Sequence, residues 1–148
     1  MNLYSLIDFP EQNKLINYNS QVVFLGSCFT EEIGRWMEEL KFSTLINPFG
    51  ITYNPLSISQ QLNATLNDKG IATSSIQERN GHFYHPDVHS TLTRDSMTDF
   101  RDEVEHQKAT LKESLHSCDF LFITLGTSIV YKWKTTNEVA NNCHRIPS

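Results

Sequence analysis

The stretch Gln21–Thr30, QVVFLGSCFT, decides the fold because two structural patterns meet within it. Its first half, Val22–Leu25, is a continuous apolar run rich in β-branched and aromatic residues, which is typical of a strand buried on both faces of a parallel sheet. After Gly26 the pattern changes, and up to Lys41 the apolar residues recur at helical spacing, at Ile33, Trp36, Met37 and Leu40. The stretch therefore predicts a strand, a sharp turn and a helix.

The same alternation continues downstream. The short apolar run Phe42–Ile46 predicts a second strand, parallel to the first after a right-handed crossover. Asn54 and Pro55 predict the N-cap and the first residue of a second helix. The pair Asn80-Gly81 predicts the turn of a small hairpin.

A long helix and a third strand follow. Asp95 or Ser96 caps the helix, whose predicted buried stripe is Met97, Phe100, Val104, Leu111 and Leu115. The segment FLFITLG, residues 120–126, predicts the third strand, again apolar on both faces. SIVYKWKTTNEVANNCH, residues 128–144, predicts either an extension of that strand or a hairpin leading off it. Together these elements predict an open α/β sheet.

The composition limits the class of protein. At 148 residues and 17.0 kDa, with 39% hydrophobic and 20% charged residues, the chain predicts one globular domain or part of one. A net charge of −5 without a Lys/Arg cluster argues against nucleic acid as a main partner. No apolar stretch approaches the ~20 residues that span a bilayer, and the N-terminus lacks the features of a secretory signal. We therefore expect no membrane partner. The three cysteines are an odd number without CxxC spacing, which suits a reducing compartment, so we expect a cytoplasmic protein.

Three loops are predicted to meet at one edge of the sheet. In an open parallel sheet, ligands bind beyond the carboxyl ends of the strands. The loops at that edge are GSCF after the first strand, NPFG after the second and GTS after the third. Each is rich in small or polar residues that offer backbone N–H groups and hydroxyls, so a binding site is expected there.

Ser27 has two alternative roles at this edge. Its hydroxyl either caps the helix, which the spacing alone favours, or serves as a nucleophile where the helix dipole stabilises an oxyanion. Gly26 permits the tight turn that either role needs. Cys28 is an alternative nucleophile because a helix N-terminus favours the thiolate, but a packed, unreactive thiol beside Phe29 explains the residue equally well.

The histidines suggest a rival site. His82, His85 and His89 lie close together with Asp87 in HFYHPDVH, and such residues can bind zinc, although this spacing fits no tight ligand pattern and favours solvated loop histidines. Cys143 and His144 are adjacent on a predicted strand, so their side chains would point to opposite faces and not to each other. We therefore predict no metal and no cofactor.

Five segments resemble, in order and approximate spacing, the motifs of the GSCFA domain family: GSCFTEEIG, KFSTLINPFGITYNP, VHS, ITLGTSIVY and VANNCHRIP. Thr30 stands where the family signature has alanine. The resemblance runs from about Val22 to Ser148. It implies a flavodoxin-like α/β fold of the SGNH/GDSL hydrolase type, with an open parallel sheet of order 2-1-3-4-5, in a family whose members are mostly bacterial.

The resemblance also implies roles for individual residues. Ser27 matches the SGNH nucleophile, and its own N–H and Gly50 match two parts of the oxyanion hole. The third part is an asparagine in SGNH hydrolases, whereas here Gly126 and Thr127 occupy the corresponding loop, so that Thr127 or Asn47 would supply the side-chain donor. The expected oxyanion and substrate-binding residues are Cys28, Asn47, Gly50, Gly126 and Thr127.

One part of the SGNH pattern has no match. The family's general base lies in a late Asp-x-x-His block, and no Asp-x-x-His occurs in this chain. We therefore expect residues 1–148 to be the N-terminal part of a single domain, an incomplete three-layer α/β/α fold with strand order 2-1-3, and nearly inert because a serine hydroxyl needs a base. The third strand would lie at an open edge that favours self-association.

Three functions follow from these observations. The leading hypothesis is a serine esterase or acyl hydrolase that acts on a small-molecule or carbohydrate ester through Ser27. The alternatives are a non-catalytic binding module on the same fold and a metal-binding protein that uses the histidines of HFYHPDVH.

Overall fold

The computed structural model describes residues 14–67, 76–134 and 137–141. In chain order the elements are β1 (Gln21–Gly26), α1 (Cys28–Glu39), β2 (Ser43–Ile46), α2 (Pro55–Leu66), β3 (Gln77–Arg79), β4 (His82–Tyr84), a single 3-10 turn (Ser90–Leu92), α3 (Met97–Ser117), β5 (Phe120–Thr124), β6 (Tyr131–Lys132) and β7 (Val139–Ala140). The alternation of strands and helices read from the sequence is confirmed.

A parallel three-stranded sheet lies at the centre, in the order β2-β1-β5. Val22 of β1 pairs with Thr44 on one side and with Phe120 on the other, and both pairings are parallel. Because β5 is the third of the predicted strands in the chain, the predicted order 2-1-3 is confirmed. Because β1 lies between the other two strands, its apolar run is buried from Val22 to the end of the strand.

Helices cover both faces of β1, which gives the three layers. Val23 and Leu25 join a core cluster with residues of α3, namely Phe100, Val104 and Leu111. Side chains alternate along a strand, so Val22 and Phe24 point to the other face, which α1 covers. α2 lies beside α3 on the first face. β1 is therefore buried on both faces, as its continuous apolar run predicts.

The caps and hairpins follow the local sequence. The Asn54 side chain accepts a hydrogen bond from the Ser57 N–H at 2.8 Å, with Pro55 at the first helical position. At α3, Ser96 and not Asp95 is the N-cap. Asn80 and Gly81 have φ values of 55° and 78° in the predicted β3–β4 hairpin. The last two described strands, β6 and β7, pair antiparallel, so the hairpin alternative for residues 128–144 is confirmed in its described part.

Burial on the helices departs from the predicted pattern. Trp36 of α1 and Leu40, its C-cap residue, are both 61% exposed, and Met97 lies outside the buried stripe of α3. The physical reason in α1 is close packing through small residues. Thr30 and Gly34 are its buried positions, and a Cβ on Gly34 would lie 2.7 Å from side-chain carbons of Ile46. Helical spacing identified an apolar face of α1, but only part of that face meets the sheet.

Candidate functional site

The turn between β1 and α1 consists of one residue, Ser27, between the last residue of the strand and the first of the helix. Gly26 has a φ of +136°, a conformation open to glycine, and a Cβ there would lie 2.1 Å from the carbonyl oxygen of Thr124. Gly26 therefore lets the end of β1 pack directly against the main chain of β5 at the base of Ser27.

Ser27 occupies the N-cap position of α1, but its side chain makes no capping hydrogen bond. Its Oγ instead lies 2.9 Å from Oγ1 of Thr124, and the Oγ1 of Thr30 bonds to the same Thr124 hydroxyl. Ser27 is only 6% exposed. The side chain is thus held in a small cluster of hydroxyl groups at the carboxyl end of the central strand.

Both main-chain polar groups of Gly26 are bound by the loop that follows β2. The Gly26 N–H donates to Oδ1 of Asn47 at 2.8 Å, and the Gly26 carbonyl accepts from the Thr52 N–H at 2.8 Å. The Asn47 amide also donates from Nδ2 to Oε2 of Glu31 at a longer 3.5 Å. Asn47, which the sequence offered as a candidate donor, therefore contacts the Ser27 turn directly, but as a hydrogen-bond acceptor.

The other loop residues lie around the same edge. A Cβ on Gly126 would be 3.4 Å from the Ser27 Cβ, which places the loop after β5 against Ser27. Gly50, with a φ of +80°, packs against His89, and a Cβ there would be 2.1 Å from the His89 Cβ. Thr127 Oγ1 accepts from the Ile129 N–H at 3.0 Å and so turns into its own loop.

The candidate backbone donors are all engaged within the chain. The Ser27 N–H bonds to Thr124, the Gly50 N–H donates to the Asn47 carbonyl at 2.7 Å, and the N–H groups of Gly126 and Thr127 both donate to the Tyr53 carbonyl. An oxyanion would have to displace one of these acceptors. By comparison, the Nδ2 group of Asn47 makes a long hydrogen bond of 3.5 Å to Glu31, while the Oδ1 of the same side chain stays bonded to the Gly26 N–H. Nδ2 is therefore the most weakly engaged of these donors.

Cys28 is the first residue of α1, and its thiol is free and exposed. Its neighbour Phe29 is 64% exposed, so it does not bury the thiol. The alternative of a packed thiol at this position is wrong, because the helix turns both side chains away from the sheet.

A cleft of about 370 Å³ lies beside the turn, between α1, β2 and the segment around His89. Asn47 and Gly50 form part of its lining, together with the ion pair of Arg35 and Glu31. Since Asn47 also bonds to Gly26, one side chain joins the cleft to the Ser27 turn. The α1 side carries charged groups, whereas the lining from β2 onward includes the apolar residues Leu45, Ile46 and Ile51, so the cleft suits a ligand with both hydrogen-bonding and apolar groups.

The three histidines of HFYHPDVH lie in different surroundings. His82 pairs with Asp95, with 2.6 Å between Nδ1 and Oδ1, while His85 is buried and accepts the Asp87 N–H at Nδ1. His89 packs on Gly50. Within residues 14–67, 76–134 and 137–141 no group of three or more His, Cys, Asp or Glu side chains is placed to hold a metal ion. Cys143 and His144 lie outside the described residues.

Sequence reasoning missed a buried polar network behind the turn. It joins Thr52, Gln61 and Asn141 to Asp87 through side-chain hydrogen bonds. Burial raises the pKa of Asp87 to about 6; the hydrogen bond from the Asn141 N–H lowers it and the nearby Glu138 charge raises it further. The polar residue types in these segments were visible in the sequence, but nothing in their spacing indicated that they meet.

The GSCFA family model matches residues 21–148. The chain belongs to the GSCFA family. Comparison with curated proteins and with solved structures finds no match. The GSCFA match begins at the first residue of β1, so the Ser27 turn, the cleft and the Thr52 network all fall inside it. Among the described residues of this GSCFA chain, no helix combines the length and the apolar composition required to cross a membrane.

Proposed function

We propose that this GSCFA chain provides the nucleophile of an SGNH-type serine acyl hydrolase, and that Ser27 attacks the carbonyl carbon of an ester. The observation that carries the proposal is the unused capping role of Ser27. A serine at a helix N-terminus ordinarily caps it, but here the hydroxyl turns instead to Thr124. It does so at the carboxyl end of the central strand, where open α/β sheets bind their ligands.

The surroundings of Ser27 support charge development on a substrate oxygen. The N-terminus of α1 carries a partial positive charge next to the hydroxyl, and such a field stabilises an oxyanion. Asn47 is the side chain that the cleft and the turn share: its Oδ1 accepts from the Gly26 N–H, and its Nδ2 donates to Glu31 in the cleft lining. We therefore assign the oxyanion contact to Nδ2 of Asn47 in preference to Thr127, whose hydroxyl accepts from the Ile129 N–H. The cleft beside Asn47 would receive the alcohol part of the ester, and the charged groups of Glu31 and Arg35 in its lining suit the hydroxyl groups of a carbohydrate.

Acyl transfer also needs a base for the Ser27 proton. Of the residues that the structure describes, Thr124 is the hydrogen-bond partner of Ser27 Oγ, and a threonine hydroxyl does not take up a proton at neutral pH. The base therefore comes from outside the described residues. In SGNH hydrolases the Asp-x-x-His block has this role, and the same group would later protonate the leaving alcohol.

A second function is supported by a specific observation. The N–H groups of Ser27, Gly50, Gly126 and Thr127 are all bonded within the chain, which suits a module that binds a polar ligand in the cleft without catalysis. For both functions we propose a cytoplasmic location. The free thiols of Cys28 and Cys118 support it, because thiols stay reduced in that compartment.

Labelling of the full-length gene product with a fluorophosphonate probe separates these functions. We expect covalent labelling at Ser27, which Ser27→Ala abolishes. Ser57→Ala is the matched control, because it removes another buried serine hydroxyl, on α2, and should leave labelling unchanged. Labelling that persists in Ser27→Ala would remove the assignment, and a protein that resists the probe but binds a polar ligand in the cleft would favour the binding module.

A further inference from the structure

Thr52 is the centre of the buried network behind the nucleophile turn. It is 1% exposed, and its Oγ1 accepts hydrogen bonds from Nε2 of Gln61 at 3.1 Å and from Nδ2 of Asn141 at 3.0 Å. The same hydroxyl donates to the Gly50 carbonyl at 3.3 Å. A threonine hydroxyl has one proton and two lone pairs, so all of its hydrogen-bonding capacity is used.

The main chain of Thr52 connects this centre to the nucleophile. Its N–H donates to the carbonyl of Gly26 at 2.8 Å, and Gly26 directly precedes Ser27. Asn47 accepts from the Gly26 N–H, so the loop of residues 47–52 is hydrogen-bonded to the peptide units on both sides of that glycine. A shift of Thr52 would therefore move the base of Ser27.

The Asn141 side chain reaches Thr52 from a distant part of the chain, just after β7. Its own main chain is fixed, because the Asn141 N–H donates to Oδ1 of Asp87 at 3.2 Å. Gln61 is fixed to the same segment by its Nε2, which donates to the Asp87 carbonyl at 3.1 Å. Asn141 and Gln61 are 7% and 6% exposed, so both bonds to Thr52 are shielded from water.

We infer that Thr52 and Asn141 are positioning residues for Ser27. Asn141, whose N–H is bonded to Asp87, fixes the Thr52 hydroxyl, and the Thr52 N–H in turn fixes the Gly26–Ser27 turn. This inference rests on the proposed function. Neither residue is hydrogen-bonded to Ser27, so their effect passes through the main chain. Loss of the Thr52 hydroxyl would leave two buried amide groups, those of Gln61 and Asn141, without their shared acceptor, and the loop would move to satisfy them.

The test compares Thr52→Val with Thr52→Ser and Thr65→Val in the full-length gene product. Valine keeps the shape of Thr52 but removes its hydroxyl, whereas serine restores the hydroxyl. Thr65→Val is the matched control, because Thr65 is equally buried but bonds only to the Gln61 carbonyl of its own helix. We expect Thr52→Val to slow fluorophosphonate labelling of Ser27 by about 10- to 100-fold, the cost of a misplaced reacting group. Thr52→Ser and Thr65→Val should both remain near the wild-type rate.

Hydrogen exchange provides a readout that does not depend on nucleophilicity. In peptides that cover Gln21–Thr30, we expect the amides of the turn to exchange about tenfold faster in Thr52→Val than in Thr65→Val. If wild-type Ser27 is not labelled at all, the proposed function fails and the exchange rates alone decide the positioning role. Equal labelling and equal exchange in Thr52→Val and Thr65→Val would overturn the inference.

Asn141→Ala covers the case in which Thr52→Val does not fold. This variant removes one of the two donors to Thr52 but keeps the N–H that bonds to Asp87. We expect it to slow labelling by about threefold to tenfold, since one hydrogen bond is lost and the hydroxyl stays bound to Gln61. A rate identical to wild type in Asn141→Ala would contradict the role of Asn141.

Discussion

β1 and β5 have nearly the same sequence pattern but very different surroundings. Both are short apolar runs. β1 ends in Leu25-Gly26 and is followed by Ser27, and the loop directly after β5 repeats the pattern as Leu125-Gly126-Thr127. β1 is paired on both edges, and its residues Val22–Leu25 are all at most 5% exposed. β5 is paired on one edge only in the described structure, and Leu121, Phe122 and Ile123 are 40–44% exposed.

The difference shows what an apolar run specifies. It indicates that a strand needs cover on both faces, but it does not determine where that cover comes from. For β1 the cover is α1 on one side and α3 on the other. For β5 only part of the cover is present among the described residues, although its side chains are as apolar as those of β1. The same contrast extends to the loops, since the one after β1 becomes a helix at once and the one after β5 does not.

The strongest test of the difference in burial between β1 and β5 is to truncate the two phenylalanines that stack across them. Phe24 and Phe122 pair across the sheet with ring centroids 5.1 Å apart, but Phe24 is 3% exposed and Phe122 is 40% exposed. We expect Phe24→Ala to lower the free energy of unfolding by about 3–5 kcal/mol, because it leaves a cavity in a closed core. Phe122→Ala should cost about 1–2 kcal/mol, since much of that ring is already in water.

Urea denaturation at one pH measures both values. The control is the pair itself, because the two substitutions remove the same atoms from facing positions. Equal losses of stability would mean that β5 is as well covered as β1, and the comparison would fail.

Two aspartates extend the contrast to charge. Burial raises the pKa of Asp87, behind the turn after β1, from 3.8 to about 6. The ionised form is therefore unfavourable in the fold, and the stability due to Asp87 falls as the pH rises from about 4 to about 6. Over that range the loss is at most about 3 kcal/mol. Asp87→Asn keeps an acceptor for the Asn141 N–H without a charge, so it should stabilise the protein by up to this amount at pH 7.5 and by much less near pH 4.

Asp119, directly before β5, should behave in the opposite way. The hydrogen bond from Lys14 lowers the pKa of this exposed carboxyl, helped by the N–H of Gln21. Its contribution is present above pH 4 and is lost as the pH falls through its lowered pKa. Asp119→Asn should therefore be destabilising at pH 7.5, by an amount that vanishes in acid. The free energy of unfolding of both variants, measured by denaturation at several values between pH 3 and pH 8, tests this contrast. A change in stability relative to wild type that has the same pH dependence in both variants would contradict the opposite roles of the two aspartates.

The smallest effect on stability is expected at the open side of β5. We propose that this surface drives self-association, because an unpaired apolar strand edge pairs readily with another chain. Leu121→Lys together with Ile123→Lys should change the free energy of unfolding by about 1 kcal/mol or less, since both side chains are partly in water. The same double substitution should shift sedimentation towards the monomer.

Leu56→Lys is the control for added charge, because Leu56 is 47% exposed on α2, away from β5. It should leave the sedimentation pattern unchanged. A wild-type chain that sediments as a monomer at high concentration would refute the self-association.

Much of the fold could be predicted from local patterns in the sequence. The strand-turn-helix at Gln21–Thr30, the Asn54 cap with Pro55 and the Asn80-Gly81 hairpin each depend on neighbouring residues, and all are confirmed. The exposure of Trp36 could not be predicted in this way. It depends on how closely α1 approaches β2, which Gly34 permits and which no periodicity reveals.

The site divides in the same manner. A hydroxyl at the end of a buried strand could be read from the sequence, and the structure shows it beside Gly126 and near Asn47. The network around Thr52 could not be found, because its members lie at residues 52, 61, 87 and 141 and meet only through the fold. The bond from the Gly50 N–H to the Asn47 carbonyl is local by contrast, because it closes a four-residue turn for which Pro48 in the second position and Gly50 in the fourth are typical.

The connection of β1 to α1 through Ser27 alone has a mechanical consequence. With one residue between them, the strand and the helix are rigidly connected, and α1 cannot change its orientation without displacing the end of the central strand. Any opening that admits a ligand must come from elsewhere. The segment after β5 is suited to this beyond Thr127, because Ile129 is 69% exposed, whereas the Gly126 and Thr127 N–H groups are fixed to the Tyr53 carbonyl.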